Sequence, residues 1–531
     1  MTTVSYKQTR IDDQYDVILI GSGIGSLVTA AALSKAGKKC LILERHYTAG
    51  GYTHVFKRRN YEWDVGIHYI GEVTRETSVL ARLFRYVSDG SIKWADMGEV
   101  YDRIRFGDEV FNLVRGRDGF KDSLKSAFPD RADCDAIDAY VELIRAAARE
   151  ARGFFTEKAL PALAAKVAGG RMRAGFLRYS DRTTLEVLRD MTSNPKLIAV
   201  LTGQYGDYGL PPAQSSFAMH AMLVRHYLNG GAYPVGGSAV IFDAIEPIIE
   251  ASGGQVVTNA EVKEVKTARG KVIGVEMADG HILRAPVVVS GAGVATTVNR
   301  LLNPADAQRT RLNECLQRVD SSASHLCLYL GYQETSDALN LAPANWWYYP
   351  PVFDHDRLMS DFFTNPESEF PVIYASFPSA KDPSFTERLP GRSTVEVITV
   401  APYDIFAPWA DTRWHKRGDA YDELKAGLTA RMLEKLHELE PQLKGKEDHV
   451  EMSTPLSTRH FCNYEKGEIY GLQHDPGRFR QRILKPKTAV KGFYLTGQDV
   501  ATAGIGGAMM GGVLCASSIL KKNLMKDVIS A

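Results

Sequence analysis

The residues with the plainest chemical meaning are two sets of glycines at opposite ends of the chain. Near the start, Gly21-Ser22-Gly23-Ile24-Gly25-Ser26 follows the apolar run from Asp16 to Ile20. Such a loop turns backbone N–H groups and a helix N-terminus onto phosphate oxygens. Gly21 permits the tight turn, and Gly23 lets a pyrophosphate approach the backbone. The third small position is Ser26, a hydroxyl in place of a glycine. A second apolar run, Leu41-Ile42-Leu43, ends in Glu44. That acid is placed to accept hydrogen bonds from a ribose 2′-hydroxyl and disfavours a 2′-phosphate, which leaves FAD or NAD. At the far end, Gly492 to Leu495 leads to Gly497 and Asp499, and Gly504-Ile505-Gly506-Gly507 opens an apolar helix. No Gly-x-Ser-x-Gly, His-Glu-x-x-His or P-loop sequence is present, so hydrolase, zinc protease and NTPase chemistry have no support.

The elements that must position these residues are legible around them. Asp16 to Ile20 reads as a buried strand, Leu27 to Ala36 as a helix ended by Gly37, and Leu41 to Leu43 as a second strand, a dinucleotide-binding βαβ unit. Short strands are predicted at Val256-Val257, Val262 to Val265, Val272 to Val275 and Val287 to Ser290. Gly291-Ala292-Gly293 lacks a following acid and reads as a strand crossing beside the cofactor, not as a second nucleotide loop. Helices are predicted at Cys134 to Arg152, Thr184 to Met191 and Tyr421 to Leu439, and strands at Leu326 to Leu330 and Val395 to Val400. Gly504 to Ile519 also has the small-residue spacing of a membrane or dimerisation helix, although Lys521-Lys522 follow at once.

Length alone, 531 residues, would suggest about three or four units. Lys+Arg at 64 against Asp+Glu at 63 gives a net charge of +1, which argues against nucleic acid as a partner. The 6 cysteines form no CxxC pair, so no metal site or redox dithiol is expected. Residues 1–14 are polar, and no apolar run is long enough to span a bilayer, so a cytoplasmic protein is expected.

The paired Gly50-Gly51 in Arg45-His46-Tyr47-Thr48-Ala49-Gly50-Gly51 resembles the second fingerprint of two-dinucleotide-binding-domain flavoproteins, and selects FAD. More widely, Asp64 to Gly71, Gly206-Asp207-Tyr208-Gly209, Tyr233 to Ser238, Ser376 to Pro383 and Tyr494 to Asp499 resemble the retinol saturase (all-trans-retinol 13,14-reductase) branch of the carotenoid isomerase and phytoene desaturase-related flavoproteins. The resemblance implies an α/β fold with a Rossmann-like FAD domain from 1–75, 231–300 and 456–531, interleaved with an α+β substrate and lid domain from 76–230 and 301–455. It implies FAD contacts at Gly21, Gly23, Gly25, Ser26, Glu44, Arg45, Gly50, Gly51, Val262, Gly497, Asp499, Ile505, Gly506 and Gly507.

The implied activity is reduction of a carbon–carbon double bond in a long apolar polyene or unsaturated lipid, by hydride from flavin N5 and a proton, with an electron donor the sequence does not identify. Two alternatives stand beside it: a carotenoid cis-trans isomerase or desaturase, and a non-catalytic isoprenoid carrier on the same fold. Proton-donor candidates are His68, Tyr69, Asp207, Tyr208 and His220, with His68 favoured because an imidazole titrates near working pH. Trp346-Trp347-Tyr348-Tyr349, Phe362-Phe363 and Phe377 read equally as ordinary core or as walls of a polyene cleft. Residues 157–182 alternate Leu160, Leu163, Val167, Phe176 and Leu177 with Lys158, Lys166, Arg171, Arg173 and Arg178. This reads either as an interfacial segment for peripheral membrane contact or as a basic solvated stretch.

Overall fold

The computed structural model describes residues 4–9, 11–12, 14–160 and 162–531. Of the polar segment 1–14, residues 1–3, 10 and 13 lie outside this description. The four residues of Val17–Ile20 and of Cys40–Leu43 are all buried, as continuous apolar runs require in a parallel sheet covered on both faces. They sit at the centre of a six-stranded sheet ordered Val4–Ser5, Gln255–Thr258, Cys40–Leu43, Val17–Ile20, Val287–Ser290, Phe493–Leu495. Every pairing in it is parallel, with Val17 opposite Cys40 and Val287, and Val288 opposite Phe493. Distant parts of the chain therefore converge on one parallel sheet. Val287–Ser290 is the strand that crosses between the two chain ends.

The helix Ile24–Ser34 is buried along its full length and packs against Gly504–Leu520. Small residues make this closeness possible. A Cβ on Gly25 would lie 2.6 Å from Gly497 Cα, and one on Gly512 would lie 2.6 Å from the Gly25 carbonyl oxygen. The small-residue spacing of Gly504–Leu520 thus serves packing inside the chain, and Met509 and Gly511 to Ser517 are buried. Among the described residues, no helix is long and apolar enough to cross a membrane.

The second layer is a seven-stranded sheet, ordered Glu447–Ser453, Ser324–Tyr332, Ser393–Ala401, Ile373–Ser376, Asn345–Tyr349, Val100–Phe106, Glu109–Val114. Its pairings are antiparallel except that of Asn345–Tyr349 with Val100–Phe106. The predicted helices appear as Arg131–Ala159, Thr184–Arg189 and Asp419–Leu439. Strands within 94–114 were not anticipated. Trp94–Asp96 joins Gly231–Pro234 and Ile70–Gly71 in a small antiparallel sheet, and the helix Val79–Ser88 packs its Leu80, Leu83, Phe84 and Val87 into the core beside the six-stranded sheet. Asp102, Asn345, Trp347, Tyr374 and Glu396, described next, stand on strands of the seven-stranded sheet, whereas His68 and Tyr69 lie in the connection between Tyr61–Asp64 and Ile70–Gly71.

Candidate functional site

The two glycine fingerprints meet in space. Ser22 Oγ donates to Glu44 Oε2 at 2.7 Å and accepts from the Gly50 N–H at 2.9 Å. A Cβ on Gly51 would come within 2.8 Å of Gly23 Cα. A cavity of about 450 Å³ begins here, bounded by Gly23 to Ser26, Gly291, Gly497 and the first turn of Gly504–Leu520. The helix N-terminus brings positive dipole character to that wall, with no acidic residue in its first turn to cancel it. Ser26 Oγ is buried there without a hydrogen-bond partner among the described residues, a group that a bound dinucleotide can satisfy. The cradle fits the cofactor that its motifs imply.

The expected cofactor residues divide. Gly23, Gly25, Ser26, Gly497, Ile505, Gly506 and Gly507 line the cavity. Gly21 lies at the loop's turn, its N–H bonded to the Leu43 carbonyl at 2.9 Å. Glu44 holds Ser22 N and His46 N at 2.8 and 2.7 Å, so it braces the loop. Arg45 donates to the His460 carbonyl. Asp499 differs from expectation. It is buried, its oxygens accept from Val294 N at 2.7 Å and Leu472 N at 2.9 Å, and the Arg478 guanidinium lies 3.8 Å away. It does not line the cavity; Gln498 does. Val262 likewise packs in the core around Val257 and Val275 and not on the cavity wall, because its strand lies in a separate three-stranded sheet.

Beyond the cradle, the cavity runs to a wall of His68, Tyr69, Asp207, Tyr227, Trp347 and Tyr374. Glycines make room for these rings. A Cβ on Gly206 would sit 2.7 Å from the Trp347 ring and one on Gly231 would sit 2.9 Å from Tyr69 Cδ2. Tyr69 and Tyr227 stack with centroids 4.2 Å apart. Behind the wall lies a buried polar network. His68 Nδ1 is 2.6 Å from Glu396 Oε2, and Glu396 Oε1 accepts from the Asp64 N–H at 2.8 Å. Lys381 Nζ donates to the His68 carbonyl at 2.9 Å and to Ser376 Oγ at 2.6 Å, and also to Asn345 Oδ1. Asn345 Nδ2 continues to Asp102 Oδ1 at 2.8 Å. Asp102 Oδ2 takes Gln204 Nε2 at 2.6 Å and Tyr69 Oη at 2.9 Å, and Tyr69 Oη is 3.1 Å from Asp207 Oδ2.

Proton positions follow from this geometry. A phenol has one proton, so Tyr69 can donate to only one of its two carboxyls; the other contact needs a proton on the acid. Burial raises Asp207 well above the carboxylate range, with the Asp102 charge adding to it. Asp207 is therefore the acid that donates to Tyr69, and Tyr69 donates to Asp102. Burial also pushes Glu396 up to about 8, against the pull of Lys381, and pushes His68 down to about 4. The His68–Glu396 pair is thus held neutral, with the proton on the carboxyl and the imidazole accepting at Nδ1. Burial lowers Lys381 to about 8, opposed by Glu396, Asp102 and Asp64.

Of the five candidate proton donors, His68, Tyr69 and Asp207 come together at the cavity. Tyr208 and His220 do not. His220 bonds Tyr140 Oη at 2.8 Å and Tyr208 Oη at 3.2 Å, inside the helical packing and off the cavity wall. Of the aromatic clusters only Trp347 reaches the cavity. Tyr349, Phe362 and Phe377 are core, and Trp346 turns to Glu440 at 2.7 Å. Glu396, Lys381, Asp64 and Asp102 were missed by sequence reasoning. Their signals were an acid inside the apolar strand Val395-Glu396-Val397 and a lysine inside Phe377-Pro378-Ser379-Ala380-Lys381. In the segment 157–182, Lys158 and Arg173 point inward: Lys158 Nζ donates to the Leu484 carbonyl, and Arg173 pairs with Glu157 at 3.5 Å. Phe176 is buried with them, while Val167, Lys166, Arg171 and Arg178 are exposed. The Leu163 side chain lies outside the described residues.

A family model described as flavin containing amine oxidoreductase matches residues 27–520, and the chain belongs to that family. It is a flavin-dependent oxidoreductase. Among its relatives, all-trans-retinol 13,14-reductase of Danio rerio is 34% identical over 98% of this chain and 88% of that protein. A Danio rerio protein named inactive all-trans-retinol 13,14-reductase is 30% identical, over 99% of this chain and 89% of its own. The chloroplastic prolycopene isomerase of Arabidopsis thaliana is 24% identical over 99% and 87%. In fold, the chain matches an oxidoreductase from Methanosarcina mazei with a TM-score of 0.61 at 18% identity, over 95% of this chain and 100% of that one.

Proposed function

We propose that this chain is an FAD-dependent reductase of a carbon–carbon double bond in a long apolar polyene, retinoid-like or a related unsaturated lipid. The observation that carries the reading is a single cavity joining the glycine cradle to an aromatic wall, with a buried, proton-holding His68–Glu396 pair beside it. Gly23, Gly25, Ser26, Gly51 and the N-terminus of Gly504–Leu520 would hold FAD, with Glu44 on the ribose side. When bound and reduced, FAD supplies a hydride to one alkene carbon.

The protein's part is to orient the chain, exclude water and deliver the proton. Trp347, Tyr374 and the stacked Tyr69–Tyr227 pair flatten the cavity around a conjugated chain. His68 gives a proton from Nε2 to the neighbouring carbon while Glu396 gives its own to Nδ1. The charge left on Glu396 is received by the Asp64 N–H and the field of Lys381. Asp207, Tyr69 and Asp102 hold the adjacent proton store. The exposed Lys166, Arg171 and Arg178 supply a basic face for contact with a membrane that carries such a substrate.

The experiment is anaerobic reduction of the bound flavin, followed by reoxidation with a panel of retinoids, carotenoids and unsaturated fatty acids. A compound that reoxidises the flavin and gains two hydrogens establishes the reading. A panel in which none does so refutes it. The likeness to a prolycopene isomerase favours isomerisation as the second reading, in which product forms without a change in mass.

A further inference from the structure

The chain as a whole carries a net charge of only +1, but Arg413-Trp414-His415-Lys416-Arg417 gathers cations around one ring. The segment lies between the strand Ser393–Ala401 and the helix Asp419–Leu439. Arg417 folds it back on itself, its Nη1 donating to the Trp409 carbonyl at 2.7 Å and to Thr412 Oγ1 at 2.8 Å. Arg413 and Lys416 are left exposed, with no side-chain hydrogen bond or ion pair among the described residues. The same holds for Lys425, whose ammonium lies 5.8 Å from the centre of the Tyr421 ring. Arg417 and Lys425 line a second cavity of about 270 Å³ beside the segment. Of the two acids in its lining, Glu451 is held by Arg58 at 3.1 Å, which leaves Asp422 against the cations.

From this basic patch a line of rings runs inward. Trp414 and Phe461 meet with centroids 5.0 Å apart, Phe461 and His46 at 4.9 Å, and His46 and His54 at 4.9 Å. His54 is buried, and its Nδ1 bonds the carbonyl of Gly51, the glycine packed on Gly23 in the cradle. The rings therefore connect an exposed basic surface to the place where the two fingerprints meet. The second cavity follows the same line, bounded by His46, Tyr47, Trp414 and Phe461. Tyr52, Val65 and His325 line both it and the first cavity, and so stand as a layer of side chains between them.

A reductase must be re-reduced after each turnover, and this layer bears on how. A hydride donor has to bring its carbon within about 3.5 Å of the flavin, and a nicotinamide seated in the second cavity is held off by Tyr52, Val65 and His325. Single electrons cross such a layer without contact. We infer that the basic surface around Trp414 is the docking site of an acidic one-electron carrier protein, and that Trp414, Phe461, His46 and His54 lead its electrons to the cofactor. Two carriers each give up one electron; with one proton from water these reduce the flavin by two electrons, and hydride transfer to the alkene returns it to the oxidised state. The need for a donor rests on the reductase reading. Partners of this kind meet over small interfaces steered by charge. A lipid surface would meet the same cations but would need no line of rings behind them.

The test uses the oxidised holoenzyme without oxygen or alkene, and follows bleaching of its flavin by stopped flow. The probe is reduced flavodoxin, a small acidic one-electron carrier, beside NADPH and photoreduced 5-deazariboflavin, which is uncharged. Flavodoxin should reduce the flavin, with a second-order rate that falls about tenfold as added salt shortens the reach of the charges. Arg413→Glu combined with Lys416→Glu should cost about tenfold at low salt. Trp414→Leu should slow the rate at saturating flavodoxin, and Trp414→Phe should restore it. Flavin content and reduction by 5-deazariboflavin should be unchanged in every variant. No reduction by flavodoxin, a rate that ignores salt and charge reversal, an equal rate from NADPH, an unslowed Trp414→Leu, or a charge reversal that weakens only sedimentation with anionic vesicles would each overturn the assignment. Because no alkene is present, failure of the reductase reading shows separately, in reoxidation.

Discussion

Replacing Glu396 by glutamine removes one transferable proton and almost nothing else. The amide carbonyl can still accept from the Asp64 N–H, now at 2.8 Å, and the amide nitrogen can still donate to His68 Nδ1, now 2.6 Å from Oε2. A general acid of this kind is worth roughly 10²- to 10⁴-fold in rate, and Glu396→Gln should slow reoxidation of the reduced flavin by that order while leaving flavin content unchanged. The sign of the pH dependence follows from the same group. Glu396 is raised from 4.5 to about 8 in the folded protein, so the folded state keeps a proton that the unfolded chain has lost. Its contribution to stability is present in full below about pH 4.5 and is lost as pH rises through about 8. Over that window each pH unit costs about 1.4 kcal/mol. The wild-type rate should therefore fall above about pH 8, whereas the low rate of the glutamine variant should lack that limb and its stability should fall less steeply. Single-turnover anaerobic reoxidation, with chemical denaturation across the same pH range, reads both. A variant that reoxidises at the wild-type rate, or one that keeps the alkaline limb, refutes the role given to Glu396.

Gly25→Ala places a Cβ against backbone atoms of Gly497 at 2.6 and 2.7 Å; neither chain end can give way cheaply, so about 1–3 kcal/mol of stability and the flavin absorbance should be lost together. Arg173→Met strands Glu157, whose nearest other cation among the described residues, Arg482, is 3.8 Å away; urea unfolding should register a loss of about 3 kcal/mol. Reversing the charge of Lys166, Arg171 and Arg178 together should weaken co-sedimentation with anionic vesicles, at about 1 kcal/mol per residue, and unchanged sedimentation would remove the membrane contact from the proposal. His68→Ala should retain flavin and lose most alkene turnover, as product analysis under anaerobic conditions will show.

The glycine cradle was readable as backbone geometry because its information is local. Gly21 to Ser26, Glu44 and Gly50-Gly51 each announce a backbone path or a charge position within a few residues, and apolar runs such as Val17-Ile18-Leu19-Ile20 name their own strands. Convergence of the chain ends also followed, since both carry signals for one ligand. The proton network was not readable, because its members come from separate elements: Asp102, Asn345 and Glu396 stand on strands of the seven-stranded sheet, Asp64 on the strand Tyr61–Asp64 of a two-stranded sheet, and Lys381 on the short helix Pro378–Lys381. Asn345 and Asp102 face one another in the parallel register of Asn345–Tyr349 with Val100–Phe106, and no spacing along the chain encodes that. Tyr208 and His220 misled for the complementary reason. They sit near Asp207 in sequence, but Tyr208 is completely buried against a helix while Asp207 reaches the cavity.

The network's composition carries a constraint that its position does not. Asp64, Asp102 and Glu396 surround a single buried ammonium, Lys381, and Asp207 joins them through Tyr69, which bonds Asp102 as well. Four ionised carboxyls around one lysine would leave several uncompensated charges in a low-dielectric interior, a cost of several kcal/mol for each. The cheaper state retains protons, as the raised positions of Glu396 at about 8, Asp64 at about 7 and Asp207 well above the carboxylate range express, while Asp102 at about 6 remains the acceptor of Tyr69 and Gln204. On the proposed reading, the cavity takes an apolar chain and excludes the water that would otherwise supply a proton to carbon. Surplus buried acid beside such a cavity therefore has a use that a charge-balanced cluster would lack: it stores protons where the substrate excludes solvent. Because Glu396 and Asp102 stand on strands of one sheet, the store is held rigidly, and in the proposed mechanism His68 and Asp207, which line the cavity, are its outlets.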